Sequence, residues 1–275
     1  MIAILIEMFS FTFFVRAIIV GLLVSLCASL LGVNLVLKRY AMIGTGLSHV
    51  GFVAMVLAMT LELAHFPLTL PIVVIAAFLL LRLNESSKIN GDSAVALIST
   101  SSLAVGFIIV TQTTGFTASV CVVMFGSILA MTRADLYLSI GLSIAVLALF
   151  VLFYNQLFAV TYDETFAKAT GTKVGIYKSL LALLTAVTVV LGMRMMGAML
   201  ITGLTVFPAL SAMRLCKRFL SVVITSAVVA VVCFFVGMVI SYTHRLPPGA
   251  SVIAVNLAIF IIFSGVALVR QGGRR

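Results

Sequence analysis

Charge is what this sequence has least of. Only 9% of its 275 residues are Asp, Glu, Lys or Arg, against about 25% in an ordinary soluble domain. The four cysteines (Cys27, Cys121, Cys216, Cys233) lie in apolar runs without metal-like spacing, so small core residues are expected. No Gly-x-x-x-x-Gly-Lys-Ser/Thr phosphate loop occurs. The start, Met1–Phe14, carries Glu7 and no basic stretch, so no cleavable signal is expected. What the chain does have is apolar residues: 63%, with a mean hydropathy of +1.34. A soluble globule of this size hides only roughly 70% of its surface, too little for this composition. A soluble enzyme, a nucleic-acid binder and a disordered chain are thereby excluded. An all-α polytopic transmembrane bundle remains, because only helices or closed barrels satisfy the backbone in lipid.

The apolar runs predict about nine spans: Ala17–Leu37, Ala41–Leu61, Phe66–Leu81, the first part of Ser93–Thr132, Leu136–Tyr162, Ser179–Met193, Met195–Met213, Phe219–Thr243 and Leu246–Val269. The run Ser93–Thr132 is broken at Gln112–Gly115. If Phe116–Thr132 returns without crossing, 13 of the 17 Lys and Arg fall on one side; the other side keeps Arg16, Arg133, Arg194 and Arg245. If it crosses, the bias disappears. The positive-inside rule therefore predicts a non-spanning Phe116–Thr132, an outside N-terminus and a cytoplasmic C-terminus. The chain reads as one transmembrane domain over 1–275 in a bacterial cell membrane. Met195–Met213 is the span most open to interruption, through Gly197, Gly203 and Pro208. Gly/Pro-broken segments point to a permeation path.

All seven acids (Glu7, Glu62, Glu85, Asp92, Asp135, Asp163, Glu164) lie outside the span centres. Ion-coupled carriers place carboxylates at membrane depth, so an external energy source is expected. His49 is the ionisable group at depth, and a neutral imidazole binds zinc well and manganese acceptably; a hydrogen bond to a neighbouring helix is the alternative. Ser48 adjoins it, and Thr45 shares its helix face. Met193, Met195, Met196 and Met199 read as gap fillers. The polar stretch Thr161–Gly171 can form a short helix, capped by Asp163 or Thr161, favoured by Glu164 and ended by Gly171. It is either a solvated connector or a docking helix presenting Phe166 and Ala167.

Taken together, three stretches resemble the membrane-spanning permease of zinc/manganese ABC importers. Lys38-Arg39 with Gly44-Thr45-Gly46-Leu47-Ser48-His49 is similar to the family's basic turn and Gly-Asp-Ala-Leu-Ser-His. Asp163-Glu164 with Ala167 and Gly171 is similar to its Asp-Glu-x-x-Ala-x-x-x-Gly coupling segment. Gly197-Ala198-Met199-Leu200 leads to Pro208-Ala209, with Leu246-Pro247-Pro248-Gly249 later. The resemblance implies a fold similar to the cobalamin-importer permease, paired with a second permease copy or paralogue. It also implies a cytoplasmic ABC ATPase dimer that uses the ATP, an external metal-binding protein, and a transported zinc or manganese ion. This chain would bind no cofactor and hydrolyse nothing itself. His49 and Ser48 would touch the metal or its path; Asp163, Glu164, Phe166, Ala167 and Gly171 would couple to the ATPase; Gly197, Gly203 and Pro208 would line the path. Metal would arrive at an outer mouth near Thr113–Gly115, Arg194–Gly197 and His244–Gly249. Thr45 stands where the family has an acid. Manganese prefers carboxylates while zinc accepts imidazole, so zinc is expected over manganese. Rival readings are a secondary carrier or channel without an ATPase, which needs a mid-span carboxylate, and a membrane scaffold, which needs no broken helices.

Overall fold

The computed structural model describes residues 12–62, 65–85, 91–112 and 133–272. Among them every regular element is helical. Nine helices among the described residues are long and apolar enough to cross a membrane, by length and composition: α1 (Thr12–Leu37), α2 (Ile43–Thr60), α3 (His65–Glu85), α4 (Gly91–Gln112), α5 (Arg133–Leu152), α8 (Val174–Met196), α9 (Ala198–Leu215), α10 (Phe219–His244) and α11 (Pro248–Gly272). Between α5 and α8 lie two short ones, α6 (Tyr154–Tyr162) and α7 (Glu164–Ala169).

Burial separates centre from rim. The most apolar windows of α1 and α2 are 67% buried, that of α11 only 17%. Lipid is as apolar as a side chain, so helices here associate through close packing rather than hydrophobic exclusion. The tightest approach is at Gly32, where a Cβ would stand 1.9 Å from the Thr205 carbonyl oxygen; α1 and α9 meet backbone to backbone there.

Helices α2 and α4 run parallel. Gly46 lies against Val95, His49 against Ser99, and Phe52 and Val53 against Gly106. Gln112 therefore ends at the same face of the bundle as Thr60. Asp135 lies there too, through its contact with Arg194, which adjoins Met55 and Phe66. The chain thus enters and leaves 113–132 on one side, as the charge bias requires; Phe116–Thr132 itself, with Cys121 and Thr113–Gly115, lies outside the described residues. The opposite end gathers Lys38, Arg39, Arg82, Lys168, Lys173, Lys178, Arg214, Lys217 and Arg218.

Three boundaries differ from the sequence reading. The predicted span Leu136–Tyr162 is two helices, because the chain turns at Phe153 (φ −102°, ψ 18°). Ser179–Met193 extends to Val174–Met196, taking in Lys178 and Arg194, whose charges are paired at the two ends. Interruption is confined to Gly197, at φ +85°, a conformation that favours glycine. Helix α9 continues through Gly203 and Pro208, with Gly203 letting Ile253 of α11 come close. Cys27 and Cys233 are buried and free of disulfides. Met193 and Met196 fill the space beside Gly51 and Gly21, as gap fillers do, whereas Met199 is exposed.

Candidate functional site

His49 lies in the second turn of α2 and is half-buried at the seam with α4. Its Nδ1 is hydrogen-bonded to Ser99 Oγ. With Nδ1–H as donor, Nε2 keeps a free lone pair for a cation; with the hydroxyl as donor, Nε2 carries the proton and cannot ligate. Ser48 is turned elsewhere. It is fully buried, and its hydroxyl donates to the Thr45 carbonyl at 2.8 Å. Neighbours in sequence are about 100° apart around a helix, so His49 and Ser48 do not converge. Ser99 escaped the sequence reading. The signal was present in four successive hydroxyls, Ser99-Thr100-Ser101-Ser102, in the middle of an uncharged span. Thr100 and Ser101 are exposed on the bundle's flank. Among the described residues no group of three or more His, Cys, Asp or Glu could hold a metal ion, and the acids lie at helix ends or between helices. A cation at His49 would therefore meet one imidazole and no cluster of acids or cysteines among the described residues.

At the basic end, α7 forms as its local sequence dictates. Asp163 is the N-cap, accepting from the Thr165 amide at 2.9 Å and the Phe166 amide at 3.0 Å. The Phe166 amide first, and then Thr165, hold the Asp163 carboxyl below its ordinary value. Gly171 at φ +83° closes the helix: its N–H reaches the Lys168 carbonyl, and the Thr172 N–H reaches Ala167. Partial burial pushes the Glu164 carboxyl up, but the Lys178 hydrogen bond and the charges of Lys178, Lys38 and Lys168 outweigh it, and its pKa is lowered. Phe166 is 64% exposed and Ala167 is fully buried. The expected pair of presented residues is thus reduced to Phe166. Ala167 faces Val160 and Val174 and seats the helix.

At the other end Arg194 Nη2 donates to Asp135 Oδ2 at 2.8 Å, with side chains 25% and 13% exposed. This pair joins the last turn of α8 to the first turn of α5 and adjoins the break at Gly197. His244 and Arg245 close α10 at that same end, Arg245 in the left-handed region at φ +54°.

The ABC 3 transport family matches residues 10–267. The chain is 26% identical over 256 residues to the "Manganese transport system membrane protein MntC" of Halalkalibacterium halodurans, covering 93% of this chain and 88% of the relative. It is likewise 26% identical over 247 residues to the "High-affinity zinc uptake system membrane protein ZnuB" of Haemophilus influenzae, covering 90% and 94%. Among solved structures it resembles "PsaBC from Streptococcus pneumoniae in complex with Fab", with a TM-score of 0.85, 27% identity, and coverage of 96% and 95%.

Proposed function

The chain belongs to the ABC 3 transport family, and on that premise we propose that it is the permease subunit of an ATP-driven importer of divalent metal ions, zinc in preference to manganese. It is a multi-pass bacterial membrane protein. One observation carries the ATP-driven reading. A capped polar helix, α7, stands at the basic end of the bundle with Phe166 exposed, and the described acids stay away from the span centres. Positive charge marks the cytoplasmic side, so α7 faces the cytoplasm and the C-terminus lies there too. An ABC ATPase dimer docks on α7 and supplies the hydrolysis; this chain performs no chemistry. Residues 1–275 act as one permease domain, paired with a second copy or paralogue. An external metal-binding protein delivers the ion to the end carrying Asp135, Arg194 and Arg245.

From there the ion passes His49. Rigid-body tilting of the spans opens the path to one side at a time. The break at Gly197, followed by Gly203 and Pro208 in α9, belongs to this path. Zinc is preferred because Thr45 stands where a carboxylate would favour manganese. Proteoliposomes holding the permease with its ATPase, and given binding protein with zinc or manganese, test the reading. Uptake is expected to require hydrolysis and to be faster for zinc. Equal uptake with a hydrolysis-dead ATPase rejects the importer, and faster manganese uptake rejects the metal preference.

A further inference from the structure

Residues 170–173 alone connect α7 to α8, and Gly171 among them has φ +83°. The backbone bonds around Gly171 close α7 on itself and leave the angle between α7 and α8 to other contacts. Ala167 supplies one, a seat against Val160 and Val174, but apolar contact is not directional. A directional contact is Lys178 Nζ to Glu164 Oε1 at 2.6 Å, across the turn, with the lysine side chain only 9% exposed. Lys168 also reaches Glu164, at 3.7 Å, but it sits on α7 itself and is 66% exposed, so it cannot tie the two helices together.

Lys178 is in the second turn of α8, which runs without a break for 23 residues, about 35 Å. Along its length α8 touches α1, α2, α3, α5, α6, α7 and α9. Its far end carries Arg194, paired with Asp135 of α5. Met193, one residue earlier, packs on Gly51 of α2, where a Cβ would meet Met193 Cε at 2.8 Å. Gly51 is two residues from His49. One stiff helix is thus lashed to α7 at one end and packed beside the candidate path at the other.

We propose that Lys178 is a positioning residue for transport: it braces α7 against α8 across the Gly171 turn, so that displacement of α7 becomes tilt of α8. Without the brace, α7 swings about Gly171 and the displacement stops there. With it, α8 carries the movement to the His49 helix and to the Asp135–Arg194 pair. This inference rests on the reading of α7 as the ATPase-facing element. Charged hydrogen bonds suit the task because they are shorter and stronger than neutral ones and fix geometry.

The test is ion influx and ATP hydrolysis measured together in proteoliposomes with the ATPase, using zinc and manganese ions as probes. Lys178→Met is expected to keep hydrolysis while lowering ions moved per ATP by about tenfold. Glu164→Ala removes the same contact from the other partner and is expected to lower the ratio as well. If the two residues act through each other, the double variant falls no further than the worse single one. An unchanged ratio in Lys178→Met, whether both rates persist or both fall together, overturns the brace, as do additive losses in the double variant. An unaltered complex that moves neither ion overturns the importer reading and the brace with it.

Discussion

At His49 the two ring nitrogens have different tasks. Nδ1 is held by Ser99, which fixes the ring against α4; with Nδ1–H as the donor, Nε2 would be the nitrogen open to a cation on the proposed path. Partners that orient a ligating imidazole are typically worth about 10–100-fold in metal affinity or activity. His49→Ala is therefore expected to lower metal uptake by about tenfold or more, with assembly intact, and Ser99→Ala to lower it in the same direction. Uptake by the purified complex checks both, and unchanged uptake in His49→Ala makes it a structural histidine. The histidine was legible in the sequence because it is the ionisable residue at depth in an apolar run. Ser99 was not, because serine is unremarkable in a span until the register of α2 against α4 brings it opposite a ring 50 residues away.

Among the elements, α7 was the most legible. Its cap, first-turn acid and terminal glycine are local signals that act wherever the segment lies. Its two lowered carboxyls, Asp163 and Glu164, give it a pH dependence of definite sign. A depressed carboxylate stabilises the fold above its unfolded pKa, roughly 4, and that contribution is lost as pH falls through the lower folded value. Amide exchange in 165–172, corrected for intrinsic rates, is expected to be protected at neutral pH and to lose protection as the pH falls below the ordinary carboxylate range, roughly 4. Protection unchanged below that range would show that the Ala167 seat alone holds the helix. The facing of Ala167 was not legible. Phe166 and Ala167 are adjacent in sequence, and packing against Val160 and Val174 decides which one points inward.

For the molecule as a whole, the bundle is set by where backbones can touch. Gly32 brings α1 onto the Thr205 carbonyl, whereas Gly141 of α5 has nothing within 4 Å of an added Cβ. Overpacking of a tight contact costs about 1–3 kcal/mol, occasionally more. Gly32→Ala is expected to destabilise the purified protein by an amount of that order, seen as a lowered thermal midpoint, and Gly141→Ala to leave the midpoint unchanged or raised. Equal midpoints for the two would mean that α1 and α9 can separate freely at this point. Sequence alone did not distinguish these glycines, since both sit in uncharged apolar stretches of their helices.

The amino-acid sequence by itself determined the membrane class, the positions of the spans, the sidedness of charge and the existence of α7. Each follows from hydropathy, length or capping within a short window, and lipid imposes helix on any apolar run of sufficient length. Tertiary structure alone decided which helix ends are tied together. Glu164–Lys178, Arg194–Asp135 and His49–Ser99 join residues whose separations along the chain follow no local period. They form because close packing fixes the rotation and depth of each helix against its neighbours, and a turn of 100° in any of them would aim the side chain elsewhere.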